Sequence, residues 1–224
     1  MLAFVFARCD KHNDAVAPQQ NANDTTKATL DIPKFITTDY IEADKIERIS
    51  KFRSAIGHDY WDDFERCRSM KHYFSPRSTV SWSSVKIFSP ITGKIVRTTE
   101  EWAGTQIQIQ SAAQPKYIVI IFHIALQHQL NAGDSVFAGQ QLGTHFSSQT
   151  MSDIAVGFSD NNRWKLISYF EVISDSVFQH YSARGITSRT DCIISKETRD
   201  ADTLKCNGEN FISSGTLENW VVLK

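Results

Sequence analysis

The sequence lacks any long apolar run and any excess of charge of one sign. None of its hydrophobic stretches approaches the roughly 20 residues that a membrane-spanning helix needs. Its 24 Lys and Arg residues are balanced by 25 Asp and Glu residues, for a formal net charge of −1. Binding to phosphate backbones or to anionic lipid needs a strongly basic surface, so neither is expected as a general function. Hydrophobic residues make up 41% of the 224 positions, which is ordinary for a globular domain.

Several catalytic signatures are also missing. The chain contains no Gly-rich phosphate loop and no Gly-x-Ser-x-Gly motif, so neither nucleotide chemistry of that kind nor an elbow serine nucleophile is supported. Glu100 and Glu101 are adjacent and would point to opposite faces of a hairpin. They cannot by themselves form the carboxylate pair that a glycosidase needs across its cleft.

The beginning of the chain reads "MLAFVFARCDKHND". Its apolar stretch is shorter than the core of a secretory signal, which spans about 7–15 residues. The stretch resembles the end of a bacterial lipoprotein signal with Cys9 as the lipidated residue, although Arg8 stands where a small residue is expected. A mis-assigned start is the alternative. Residues 1–33 are predicted to be a leader remnant and a flexible tether, and residues 34–224 a single β-rich domain.

Three further cysteines limit the disulfides. Cys67, Cys192 and Cys206 cannot all pair with one another, and both Cys192–Cys206 and Cys67–Cys206 are allowed, because spacing does not give connectivity. Neither pair has the spacing of a zinc ribbon. One disulfide is expected, and with it an extracytoplasmic location (periplasmic, secreted or lipid-anchored).

The pattern of hydrophobic residues changes along the chain. Ile41, Ile46, Ile49 and Phe52 have helical spacing, which predicts a helix at about residues 39–54 with Thr38 or Asp39 as its cap. From Val80 onward, short alternating segments such as "TQIQIQ" are separated by turn residues and predict an antiparallel sandwich or barrel. A second helix is predicted near residues 174–184, with Ser174 as its cap. The segment "LENWVVLK" is predicted to form a last strand.

One long pattern carries a family resemblance. The stretches "IFSPITGKIVR" and "YIVIIFHIALQHQLNAGDSVFAGQQLGTH" place a Pro-x-x-Gly turn between strands, then a hydrophobic strand, a histidine and two glycine turns. Together with "HDYWD", they resemble the lysostaphin-type zinc endopeptidases and the lipoyl-like hammerhead core (the duplicated hybrid motif). The resemblance covers about residues 56–173. A lipoyl carrier would need a suitably flanked lysine at a hairpin tip, and none is found.

The resemblance implies a fold and a set of site residues. The fold is mainly β, an antiparallel sandwich or barrel of the lysostaphin-type peptidase kind, with an N-terminal helix and a helical and looped C-terminal extension. His58 and Asp62 match the family's His-x-x-x-Asp motif, and His123 matches its catalytic histidine. The family's His-x-His is not present, because Asp153 and Ala155 stand in its place. Zinc or another divalent cation is the implied cofactor, with no organic cofactor.

Other interpretations of these residues remain open. His58 and Asp62 could form an ordinary hydrogen bond that holds a loop, and His123 could be a satisfied histidine on a central strand. His145 and His72 are further candidates for the third ligand that a catalytic zinc needs. The acids around Asp62 could be neutralised in a surface network by Arg66, Arg68 and Lys71. Six aromatic residues could form the floor of a peptide or glycan groove or simply pack: Tyr60, Trp61, Tyr73, Phe74, Trp82 and Trp102.

Two functions follow from these alternatives. In the first, the protein is a catalytically degenerate relative of the zinc endopeptidases that binds cell-envelope peptide, glycan or a partner protein, with or without a retained metal. In the second, it is a metal-dependent hydrolase in which His58, Asp62 and Asp153 hold the metal and His123 is the acid–base group. The absence of the His-x-His motif favours the first.

Overall fold

Antiparallel strands make up most of the computed structural model, which describes residues 32–224. The predictions for Cys9 and for the tether up to residue 31 lie outside the described residues. The strands are β1 (Ile46–Ser50), β2 (His72–Pro76), β3 (Lys86–Phe88), β4 (Gly93–Glu101), β5 (Gly104–Ser111), β6 (Tyr117–Leu126), β7 (Ser135–Val136), β8 (Gln141–His145), β9 (Ser152–Asp160), β10 (Arg163–Ile167), β11 (Cys206–Asn207), β12 (Asn210–Phe211) and β13 (Trp220–Val222). The helices are α1 (Tyr169–Val172), α2 (Asp175–Ser182) and α3 (Lys196–Ala201), with 3-10 turns at Ala43–Lys45, Trp82–Ser84 and Arg189–Cys192.

Eleven of the strands in the described part of the chain form one sheet, in which every ladder is antiparallel. Its main path runs β13-β1-β2-β9-β6-β5-β4-β7. Strand β9 pairs with β2 through its first residues and with β10 through its later ones, while its other edge pairs with β6. Strand β6 in turn pairs with β5 and, near its end, with β8. The predicted mainly β, antiparallel fold is confirmed.

Strand β6 is central and is buried on both faces. Val119 and Ile121 pack into the larger hydrophobic core, and Ile120 and Phe122 into a smaller core on the opposite face. Successive side chains of a strand point to opposite faces, so the continuous run "YIVIIF" supplies both cores. The smaller core, which also contains Met70, Ala155 and Leu166, forms the base on which the candidate site stands.

The predicted helix at residues 39–54 is wrong. A 3-10 turn at Ala43–Lys45 leads directly into β1, whose Ile46 and Ile49 are fully buried. β1 is paired on both sides, with β13 and with β2. Two ladders of hydrogen bonds and the burial of β-branched side chains outweigh the helical spacing of the isoleucines.

The later part of the chain follows the sequence more closely. Helix α2 begins after Ser174, whose hydroxyl accepts the amide of Val177, so the predicted helix and its cap are confirmed. The predicted last strand is β13, which pairs with β1. No helix within residues 32–224 combines the length and the apolar character needed to cross a bilayer.

Candidate functional site

The centre of the site is a buried ion pair between Lys71 and Asp153. Lys71 lies immediately before β2, and Asp153 lies on β9 opposite Tyr73 of β2. The Lys71 Nζ atom is 2.5 Å from Asp153 Oδ2, and both side chains are almost completely buried. Burial by itself would lower the pKa of the Lys71 ammonium, but the adjacent Asp153 carboxylate raises that pKa above its ordinary value. Lys71 is therefore a permanent cation.

Aromatic rings enclose the same ammonium group. The distances from Lys71 Nζ to the ring centroids are 4.2 Å for Phe122, 4.7 Å for Tyr60 and 4.9 Å for Tyr73. Each is within the range of a cation–π contact, which is worth more when the cation is desolvated. The rings replace part of the water shell that the ammonium has lost.

His58 is the second neighbour of the Lys71 ammonium. Its Nε2 atom is 3.2 Å from Lys71 Nζ, and its Nδ1 atom is 2.9 Å from the carbonyl oxygen of Asp59. Since an ammonium can only donate, Nε2 accepts and Nδ1 carries the proton. Burial, followed by the charge of Lys71, lowers the pKa of His58 below its ordinary value. The geometry and the charges therefore agree on a neutral ring.

His123 approaches Asp153 from a β-bulge in β6. Phe122 and His123 together face the single residue Gln106 of β5, and His123 has a φ of +59°. A residue with a side chain reaches this left-handed region at a cost on the order of 1 kcal/mol, and bulges re-aim side chains near functional sites. Here His123 Nε2 lies 3.3 Å from Asp153 Oδ1, and Nδ1 lies 3.1 Å from the carbonyl oxygen of Ala103.

Outside this centre lies an open cavity of about 570 Å³. The loop between β1 and β2 forms one wall, the hairpin of β4 and β5 another, and the small hairpin of β11 and β12 a third. Its lining residues are His58, Asp59, Tyr60, Trp61, Lys71, Glu101, Trp102, Gln106, Phe122, His123 and Glu209. The side chains of Trp61 and Trp102 are 43% and 74% exposed, which leaves large aromatic surfaces for a ligand to contact.

A disulfide joins two of these walls. Cys67 pairs with Cys206, and Cys192 is a free, buried cysteine, which settles the pairing that the sequence left open. The bond links the loop after the site to the start of the β11–β12 hairpin. Beside it, the amide of Asp59 donates to the carbonyl oxygen of Glu209 at 2.7 Å. The hairpin is thereby held against the cavity.

The predicted metal set does not assemble. His58, His123 and Asp153 converge as described, but Asp62 is used elsewhere. Its Oδ1 accepts the amides of Phe64 and Glu65, and its Oδ2 accepts the amide of Leu166. Asp62 is therefore corrected from a metal ligand to a carboxylate that holds a loop against β10, because three backbone donors satisfy it.

Among the acids near Asp62, Glu65 is neutralised by arginine side chains. Glu65 forms ion pairs with Arg53 at 2.7 Å and with Arg68 at 2.8 Å, and Arg68 also pairs with Asp200. These contacts tie the loop before β2 to helix α3. They leave Glu65 no free oxygen to offer a cation.

Zinc does not fit the residues that are present. A catalytic zinc takes about three protein ligands and keeps one position open. The Lys71 ammonium already contacts both His58 Nε2 and Asp153, so a second cation there would meet a fixed positive charge. Within residues 32–224, no group of three or more His, Cys, Asp or Glu side chains is arranged to hold a metal ion.

His145 and His72 have structural roles. His72 is fully buried, with Nδ1 2.8 Å from the carbonyl oxygen of Ser50 and Nε2 2.8 Å from the hydroxyl of Ser168. His145 is fully buried and stacks on Trp82, with 4.2 Å between the ring centroids. Burial lowers the pKa of each histidine to about 4. Neither lines the cavity.

Sequence reasoning missed the role of Lys71, which was expected only as one of the surface bases with Arg66 and Arg68. A lysine in the charged run "ERCRSMKHYF" is typical of a solvated surface. The available signal was its position: Lys71 and Tyr73 alternate with His72 at the start of a strand, so they share one face. Glu209 was missed because nothing in the sequence brings its hairpin to residue 58.

Comparison with known proteins finds similarity to solved structures. No protein-family model matches the chain, and no curated protein matches it in sequence. Among solved structures, it is similar to the lytM protein of Ruminococcus gnavus, at 14% identity and a TM-score of 0.36, over 46% of this chain and 43% of that one. The chain thus spans less than half the length of that protein.

Two other structures extend the comparison. The catalytic domain of lysostaphin from Staphylococcus simulans is 16% identical with a TM-score of 0.34, over 53% of this chain and 84% of that one. The SpoIIQ–SpoIIIAH pore-forming complex contains a chain that is 9% identical with a TM-score of 0.42, over 65% and 96%. The lysostaphin catalytic domain is thus among the structures to which this chain is similar, as the sequence resemblance predicted. At these values the likeness says nothing about activity.

Proposed function

We propose that the protein is a metal-independent binding module rather than a peptidase. The observation that carries the proposal is the position of the Lys71 ammonium, 2.5 Å from Asp153 and 3.2 Å from His58. It gives the site its positive charge without any of the chemistry of a metal, since an ammonium cannot lower the pKa of a bound water as zinc does. Because the pKa of Lys71 is raised, it cannot act as a general base either.

The cavity in front of Lys71 is the binding surface in this proposal. It has the concave shape, the aromatic walls and the few polar groups of a ligand site. Peptide or glycan of the cell envelope is the ligand class predicted from the sequence, and it is the first to test. The Cys67–Cys206 disulfide supports an extracytoplasmic location, because disulfides persist in oxidising compartments.

The alternative, a metal-dependent hydrolase, has less support. It requires Asp62 in the ligand set, and Asp62 is committed to three amides. It also requires the Lys71 ammonium to leave a pocket in which it is paired and surrounded by three rings. Leaving Asp153 unpaired in that pocket would cost several kcal/mol.

The test uses purified peptidoglycan sacculi, from one Gram-negative and one Gram-positive source, with the intact chain. We expect the protein to co-sediment with sacculi of at least one type and to release no new amino groups or reducing ends, with or without added zinc. Trp61→Ala/Trp102→Ala should reduce co-sedimentation, while Phe137→Ala should not. Phe137 is a matched control, since it is an aromatic side chain 64% exposed and outside the cavity.

Two outcomes would contradict the proposal. Zinc-dependent release of amino groups would establish a hydrolase. Co-sedimentation with neither type of sacculus would exclude the envelope polymer as the ligand.

A further inference from the structure

Two carboxylates of the cavity lie near histidines but have no Lys or Arg partner within residues 32–224. Glu101, at the end of β4, accepts the side-chain amide of Gln106 and lies 3.9 Å from His123 Nδ1. Glu209, in the turn of the β11–β12 hairpin, lies 3.9 Å from His58 Nδ1. In the described part of the chain, neither carboxylate forms an ion pair with a Lys or Arg. This contrasts with Glu65 nearby, which has two arginines.

The cation already in the site does not neutralise these carboxylates. Lys71 is paired with Asp153, so the two charges cancel behind the cavity. His58 is neutral, because burial and Lys71 lower its pKa. The open part of the cavity therefore carries a negative charge from Glu101 and Glu209 that no described Lys or Arg balances.

The walls suit one kind of ligand group. Tyr60 and Phe122 already hold an ammonium group, that of Lys71, against their ring faces. Trp61 and Trp102 present further indole surface to the open side, and tryptophan is the best cation–π partner. Aromatic faces together with carboxylates that no described Lys or Arg neutralises attract a cation on an apolar stem and disfavour anions.

We infer that this cavity binds a primary ammonium group carried on an aliphatic chain, such as a lysine-type side chain of a peptide. The ammonium would lie between Glu101 and Glu209, with its methylene groups against Trp102. This inference rests on the proposed binding function and names the chemical class of its ligand.

The experiment is a titration of the intact protein with two matched probes, followed by tryptophan fluorescence and by amide chemical shifts. The probes are an oligopeptide with one central lysine and the same peptide with that lysine Nε-acetylated. We expect the lysine peptide to bind at least about tenfold more tightly, because acetylation removes the charge. Raising the salt concentration should weaken only the lysine peptide.

Substitutions in the cavity locate the site. Glu101→Gln and Glu209→Gln should each weaken the lysine peptide about fivefold, an effect in the range of one exposed charge pair. Glu100→Gln is the matched control and should change nothing, because Glu100 is adjacent on β4 but lines a separate cavity. All three glutamates lie at the surface of hairpins, so the fold should survive.

Equal binding of both peptides, or no response to Glu101→Gln and Glu209→Gln, would overturn the inference. The result for sacculi separates the two proposals. If sacculi bind while the lysine peptide does not, the ammonium inference fails and the binding function stands. If neither binds, both fail.

Discussion

Lys71 and His72 are adjacent in the chain and both buried, but their polar groups are stabilised in opposite ways. His72 is a neutral ring that donates to and accepts from uncharged partners, Ser50 and Ser168. Lys71 is a charged group held by Asp153, by a histidine lone pair and by three rings. The two side chains leave the strand on opposite faces, one into the main core and one toward the cavity.

The difference separates a group that stabilises the larger core from a group at the proposed binding site. The main core accepts a polar residue only when all its bonds are made within the protein, as they are for His72. The face toward the cavity contains a charge pair and a histidine with a left-handed backbone conformation. Such costs are tolerated at binding sites, where a ligand completes the interactions.

The largest effect should come from breaking the pair at Lys71. Lys71→Met leaves Asp153 as a lone buried charge, so the free energy of unfolding should fall by about 3–5 kcal/mol. The double variant Lys71→Met/Asp153→Leu should recover most of that loss, because it removes both charges. Urea unfolding at pH 7 measures each value. If the single variant is as stable as the wild type, Lys71 and Asp153 do not form the buried pair.

The second effect is a pH dependence of the unfolding free energy that is due to His72. With its pKa lowered to about 4 in the fold, His72 stays neutral while the unfolded chain takes up a proton below its ordinary value near 6.5. Stability is therefore complete above pH 6.5 and falls as the pH drops, by up to about 3 kcal/mol at pH 4. His72→Gln should flatten this slope in urea unfolding between pH 7 and 5. An unchanged slope would show that other groups control it.

A smaller effect should separate the ring contact from ordinary packing. Phe122→Leu removes the ring that is 4.2 Å from Lys71 Nζ and should cost about 1–2 kcal/mol. Ile120→Val, in the same small core, should cost a similar amount. In double-mutant cycles with Lys71→Met, only the Phe122 change should show coupling. Equal coupling for both would mean that the ring acts by volume alone.

The smallest effect on stability should come from Trp102, at the open side of the cavity. Trp102 is 74% exposed, so Trp102→Ala should change the unfolding free energy by no more than about 0.5 kcal/mol. Binding of the lysine peptide should nevertheless weaken measurably. A large loss of stability would make Trp102 a structural residue.

The sequence predicted the sheet better than the site. Alternation and turn residues predicted the region of short antiparallel strands from Val80 onward, because those strands follow a local pattern that a buried face imposes. The isoleucines of β1 suggested a helix, because their pairing with β2 and β13 depends on residues far away in the chain. His58, His123 and Asp153 were found by resemblance. Lys71 was not, since the meaning of a buried lysine depends on a carboxylate 82 positions later.

The Cys67–Cys206 bond has a consequence for the order in which the protein matures. Its two cysteines are 139 residues apart. The loop that carries His58 can therefore be linked to the β11–β12 hairpin only after Cys206 has been synthesised and oxidised. Closing so long a loop restricts the unfolded chain by up to about 5 kcal/mol. Before that step, no covalent bond holds Glu209 and its hairpin against the cavity that Glu101 and Trp102 line. The proposed binding site is thus completed last, and a reducing environment would delay its completion even if the sheet had already formed.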